Sequence, residues 1–132
     1  MRREPSLPTD AELRLLRVLW QRGPSTVREV LSVLPGEEET GYTTALKLLQ
    51  LMFAKGMVTR DETNRTHVYA AAVPPESTQR RLVADLVDRA FGGSAHQLVM
   101  QALSPQLSSR EDLARIRALI DSLDSTPDAT EE

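Results

Sequence analysis

Gly41-Tyr42-Thr43-Thr44-Ala45-Leu46-Lys47-Leu48-Leu49-Gln50-Leu51-Met52-Phe53-Ala54-Lys55-Gly56 decides the reading of this chain. Up to Lys55 the stretch has the apolar spacing of one helix, and Gly56 is placed to stop it. Thr43, Lys47, Gln50 and Ala54 recur at i, i+4, i+7 and i+11 and share one face, while Ala45, Leu48, Leu49 and Met52 share the other. The outward face therefore offers hydroxyls, an amide and one cation, with no carboxylate. Such a face suits a surface that approaches phosphates and base edges, so DNA is the first partner to consider.

The segments around this helix set its context. Thr9-Asp10-Ala11-Glu12 has the pattern of a capping box and predicts a first helix up to Gln21, with Leu13, Leu15, Leu16, Leu19 and Trp20 on its apolar side. Gly23-Pro24 ends it. Thr26-Val27-Arg28-Glu29 is a second capping box, preceding a short helix with Val27, Val30, Leu31 and Leu34 inward and broken by Pro35-Gly36. Glu37, Glu38 and Glu39 are expected in a solvated loop. After Gly56, Met57–Arg60 and His67–Ala70 read as the arms of a hairpin whose tip is Asp61–Thr66. Three helices followed by a two-stranded hairpin is the element order of a winged helix-turn-helix, with the third helix in the major groove and the hairpin as the wing.

Beyond Pro74-Pro75, expected as a hinge, three more helices are predicted. Their stripes are Leu82, Val83, Leu86, Val87 and Ala90; then Leu98, Val99, Ala102 and Leu103; then Leu113, Ile116, Ile120 and Leu123, the last helix opening at Ser108-Ser109-Arg110-Glu111. Three short helices bury too little surface to stand alone, so these stripes need either the winged domain or a second copy, and a second copy is expected. The fold class expected is mainly α with a small β-hairpin. Residues 1–8 read as a flexible arm, 9–73 as a winged-helix DNA-binding domain, 74–123 as a helical dimerisation module, and 124–132 as a disordered acidic tail.

Composition narrows the function classes. The chain has 132 residues and no cysteine, which excludes disulfides, thiolate metal sites and cysteine nucleophiles. His67 and His96 lie far apart in sequence without ligand spacing, so neither a metal nor a cofactor is expected. Neither a Gly-rich phosphate loop nor a nucleophile paired with a base is present, which argues against an enzyme. No apolar run reaches the length of a membrane span, and the N-terminus lacks a signal peptide's apolar core, so a cytoplasmic protein without membrane insertion is expected. The net charge of −3 is unevenly spread: residues 1–75 hold ten Lys or Arg against nine Asp or Glu, and residues 76–132 hold six against ten. The acid lies mostly in the rear of the chain, away from the proposed contact helix.

The pieces Pro8–Leu13, Val18–Trp20, Gly23–Val30, Gly41–Thr44, Lys55–Val58, Arg65–Tyr69 and Phe91–Ser94, in this order and spacing, resemble the penicillinase-repressor family from Thr9 to about Leu123. That resemblance implies a homodimer whose winged helices each bind half of a palindromic operator, with C-terminal helices paired across the twofold axis. It further implies repression of β-lactamase-like resistance or stress genes, relieved through a membrane-bound sensor metalloprotease that causes the repressor to be cut. The chain departs from the family in three places. Leu51 and Phe53 stand where members often carry polar or basic residues. The Asn-Phe bond cut in characterised members is missing, because Asn64 is the sole asparagine. The paired cysteines of the copper-responsive branch are also missing, so copper sensing is not expected.

The residues expected to touch double-stranded DNA are Tyr42, Thr43, Thr44, Lys47 and Gln50 on the third helix, Arg65 on the wing, and Ser25, Thr26 and Arg28 at the start of the second helix. Lys47 suits a phosphate or guanine O6/N7, Gln50 an adenine, and the threonine hydroxyls a phosphate at a helix start. Dimerisation is expected through Leu82, Leu86, Phe91, Leu98, Val99, Leu103, Leu113, Ile116 and Ile120. The rival reading is a winged helix that binds another protein through exposed Leu51 and Phe53.

Overall fold

A computed structural model describes residues 6–34 and 41–125. The predicted Glu37–Glu39 loop, the first residues of the N-terminal arm and the tail beyond Ser125 lie outside them. Six helices and one hairpin follow in order: α1 (Asp10–Arg22), α2 (Val27–Val33), α3 (Tyr42–Ala54), β1 (Val58–Asp61), β2 (Val68–Ala71), α4 (Pro75–Ala90), α5 (Ala95–Ala102) and α6 (Arg110–Ser125). The chain divides into two compact units, the first running through Val83 and the second beginning at Ala84.

In the first unit, local chemistry sets the helix ends. Thr9 caps α1 reciprocally: its hydroxyl accepts from the Glu12 amide at 3.2 Å, and its own amide donates to Glu12 Oε1 at 2.9 Å. Thr26 and Glu29 repeat the device at α2 with the same two distances. α3 closes in a Schellman motif, the Met57 amide donating to the Met52 carbonyl at 2.9 Å and the Gly56 amide to that of Phe53 at 3.1 Å. This geometry needs a left-handed residue, and Gly56 supplies it at φ +83°.

Leu15, Leu16 and Leu19 of α1, Val27 and Val30 of α2, Ala45, Leu49 and Met52 of α3, and Met57, Val58 and Tyr69 of the hairpin region form one buried cluster. Trp20 packs at its edge, half-buried, and donates from Nε1 to the Val73 carbonyl at 3.0 Å. The strands pair antiparallel with Arg60 opposite Tyr69. A third short pairing joins the hairpin: Ser25 and Tyr69 exchange both backbone hydrogen bonds at 2.8 Å. Sequence pattern does not foresee it, because a single bridging residue has no periodicity.

Pro75 is not a free hinge but the first residue of α4, where its missing N–H costs nothing and its φ suits a helix. The first half of α4 belongs to the winged unit, so the unit boundary falls inside a helix and later than the expected break after Val73.

In the second unit, α5 is capped by Ser94, whose hydroxyl accepts from the Gln97 amide at 3.2 Å. The capping box of α6 is shifted by one residue from the predicted one. Ser109 and Asp112 pair reciprocally at 3.0 and 3.2 Å, while the Ser108 hydroxyl instead donates to the Ala102 carbonyl at 2.6 Å. Asp124 and Ser125 continue α6 rather than beginning the predicted disordered tail. Neither α5 nor α6 has a buried residue.

Glu12 is 1% exposed, and beyond its cap it accepts a charged hydrogen bond from Lys55 Nζ at 2.8 Å. Burial pushes its carboxyl pKa up, but the Lys55 ammonium and the Thr9 amide outweigh burial and hold it below the usual range. A carboxyl lowered on folding adds stability above its unfolded pKa of about 4.3, and that contribution is lost as pH falls through the folded value. Glu12→Gln should therefore cost about 1.5–3 kcal/mol at neutral pH, with the gap to wild type narrowing at an acidic pH below the unfolded carboxyl value of about 4.3. Urea unfolding of both proteins at the two pH values measures it.

Candidate nucleic-acid interface

α3 buries Ala45, Leu49 and Met52 completely, and this fixes which way its other face looks. Thr43, Thr44, Lys47, Gln50 and Ala54 are all exposed, as the helical spacing requires. Gly41 starts the helix without a side-chain cap, and the first turn holds no acidic residue. The Thr43 and Thr44 hydroxyls therefore sit beside first-turn amides at the positive end of a helix, a setting that favours an anion.

Tyr42 is 41% exposed, and the Arg28 guanidinium lies over its ring, 5.0 Å from the centroid. This contact places a cation from the start of α2 next to the start of α3. A groove of about 250 Å³ then runs from α3 to the wing, bordered by Tyr42, Leu46 and Gln50 on one side and Arg65, Thr66 and His67 on the other. Tyr69 also borders it, its side chain buried.

Tyr42, Gln50 and Arg65 are thus brought together, with Thr43, Thr44 and Lys47 on the adjoining open face. Thr26 is half-buried, its hydroxyl spent on the Glu29 amide. Ser25 requires a correction: it is fully buried, both backbone groups are bonded to Tyr69, and its hydroxyl donates to the Gly23 carbonyl at 2.8 Å and accepts from Arg22 Nε at 3.1 Å. No atom of Ser25 is left for a surface ligand. Thr66 and His67 join the groove although sequence reasoning did not single them out for it. Strand alternation carried the signal for His67, since it precedes inward-facing Tyr69 by two positions.

Among the described residues, three carboxylates of α2 and the wing are engaged. Glu29 pairs with Arg22 at 3.2 Å, and Glu62 with Arg60 at 2.6 Å. Asp61 accepts from the Thr63 amide at 2.9 Å, and hydrogen bonding to Thr63, aided by His67, holds its carboxyl below the usual range. Leu51 and Phe53 are 50% and 38% exposed, and Arg60 covers the Phe53 ring at 4.1 Å.

Of the residues expected at a subunit interface, Leu82 lies in the first unit, half-buried, and borders a groove with Leu13 and Trp20. Leu86, Val99, Leu113 and Ile120 are exposed, and Phe91, Leu98, Leu103 and Ile116 are half-buried. Leu103, Leu113, Ile116 and Ile120 border one shallow apolar depression of about 210 Å³. Among the described residues no group of His, Asp or Glu could hold a metal ion, and no helix is long and apolar enough to cross a membrane.

Three helices, a hairpin joined to the chain before α2, and an acid-free outer face on the third helix define a winged helix-turn-helix protein. The penicillinase repressor family matches residues 8–122, and the chain belongs to that family of transcriptional repressors. It is 28% identical over 111 residues to the transcriptional regulator BlaI of Mycobacterium tuberculosis, covering 83% of this chain and 80% of that protein. Among solved structures, the DNA-binding domain of the repressor BlaI is 24% identical, with a TM-score of 0.48 over 57% of this chain and 90% of that one. The CopR repressor is 30% identical, with a TM-score of 0.44 over 50% and 96%.

Because Thr43, Lys47 and Gln50 touch solvent and none of the core, replacing each with Ala should change unfolding free energy by less than about 0.5 kcal/mol. Thr26→Ala, which removes a cap, should cost about 1 kcal/mol. Chemical denaturation of the four variants separates the two groups.

Proposed function

We propose that this protein represses transcription as a homodimer, each winged unit reading one half of a palindromic operator. One observation carries the reading: the exposed stripe of Thr43, Lys47 and Gln50 on a helix whose opposite stripe is completely buried. Lys47 meets a phosphate or a guanine edge, Gln50 reads an adenine, and Thr43 and Thr44 bind a phosphate at the helix start. Tyr42, Arg28 and Thr26 contact the backbone on one side of the groove, and Arg65 on the wing does so on the other.

The apolar faces of the second unit support self-association. Val99, Leu113 and Ile120 are 43%, 38% and 48% exposed in one chain, and a second copy is the partner that covers them. Linking two half-site binders makes the second engagement intramolecular, which multiplies affinity without a new contact. Family membership further supports control of β-lactamase-like resistance or stress genes, with relief through a membrane-bound sensor metalloprotease.

The exposure of Leu51 and Phe53 favours a second reading, a winged helix that binds a protein partner and no specific DNA. Selection of bound fragments from genomic DNA decides between them: enrichment of a palindrome supports the repressor, and its absence supports the rival. On the selected operator, Lys47→Ala should weaken binding and lower the slope of log affinity against log salt by about one. A chain ending at Val83 should sediment as a monomer and bind that operator far more weakly. A dimer at that length would overturn the division of labour between the two units.

A further inference from the structure

One side chain joins the third helix to the wing. Arg60 of β1 pairs with Tyr69 in the hairpin register and is half-buried. Its guanidinium lies over the Phe53 ring near the end of α3, 4.1 Å from the centroid. The same group closes on Glu62, its Nε donating to Oε2 at 2.7 Å and its Nη2 lying 2.6 Å from that oxygen. Arg60 thus meets the helix with its flat face and the first residue after β1 with its edge. Beside it, Asp61 accepts from the Thr63 amide at 2.9 Å and turns the chain into the tip.

These contacts stand between the core and Arg65. β1 ends at Asp61 and β2 begins at Val68, so residues 62–67, Arg65 among them, lie outside the strand pairing. Two strands alone give such a tip little order. A planar guanidinium stacked on a ring and hydrogen-bonded along its edge holds one orientation, which a lysine in its place does not. An exposed ion pair by itself contributes little, but the Arg60 side chain is only 20% exposed and has a ring beneath it. A cation presented from an ordered tip loses less freedom on reaching a phosphate than one presented from a loose tip. Phe53, whose exposure otherwise suggests a docking patch, becomes the seat of this guanidinium.

We propose that Arg60 is a positioning residue for DNA binding: stacked on Phe53 and joined to Glu62, it orders the wing tip and acts through Arg65 without itself touching phosphate. This inference rests on the repressor reading, but its first test needs no DNA. In the free full chain, Arg60→Lys should lower the amide order parameters of Thr63–Thr66 and leave those of α3 as in wild type. On the selected operator, Arg60→Lys and Arg60→Met should each bind roughly threefold to tenfold more weakly. Lys keeps the charge, so a direct phosphate contact would survive in that variant. With Arg65→Ala already present, either change should add less than about twofold, because the residue it acts through is gone. The slope of log affinity against log salt should fall by about one for Arg65→Ala and no further in the double variants. The proposal is overturned if tip order is unchanged in Arg60→Lys, if that variant binds the operator as wild type does, or if the losses at Arg60 and Arg65 multiply. If the wild-type chain selects no DNA, the repressor reading fails and the DNA role of Arg60 with it; tip order in the free chain tells that failure from this one.

Discussion

The complete burial of Ala45, Leu49 and Met52 against α1 and the hairpin is the constraint on which the rest of this protein depends. A helix presents one stripe to the core and the opposite one to solvent, so seating these three residues leaves Thr43, Lys47 and Gln50 facing outward by necessity. The seat is locked at both ends. At the N-terminal end the Arg28 guanidinium rests on Tyr42, and at the C-terminal end Lys55 reaches the buried Glu12 carboxylate. That carboxylate also closes the cap of α1, so one side chain joins the start of the first helix to the end of the third. A surface that reads a duplex must hold its side chains in a fixed orientation, and of these two contacts the Lys55–Glu12 pair does so without using a residue of the contact face.

The wing is held by a comparable economy. Two strands alone are marginal in water. Here the backbone of Ser25 adds a third pairing to Tyr69, whose ring fills the core, so β2 is tied to the start of α2 as well as to β1. The same tie withdraws Ser25 from the surface.

The two units differ in how far they satisfy themselves. The first closes a core of large aliphatic side chains, whereas α5 and α6 bury no residue in a single chain. Their caps are well formed, with Ser94, Ser109 and Asp112 each using local hydrogen bonds, so the helices are specified locally while their apolar faces are not covered locally. That separation of helix formation from burial is what a module built to associate requires.

Much of this was determined by the sequence alone. Helix ends rest on contacts three or four residues apart, so Thr9 with Glu12, Thr26 with Glu29, and Gly56 after α3 were legible without a fold. The inward and outward faces of α3 were equally legible, because periodicity of apolar residues is a local property. Where two local solutions competed, as Ser108 and Ser109 did before α6, pattern could not choose, and the Ala102 carbonyl decided by engaging Ser108. Tertiary structure alone decided the burial of Ser25, the clamp from Lys55 to Glu12, the place of His67 in the groove, and the docking of α4's first half on the winged unit. Each of these joins residues far apart in the chain, and no spacing rule reaches across such a distance: only closure of the core brings those groups within bonding range.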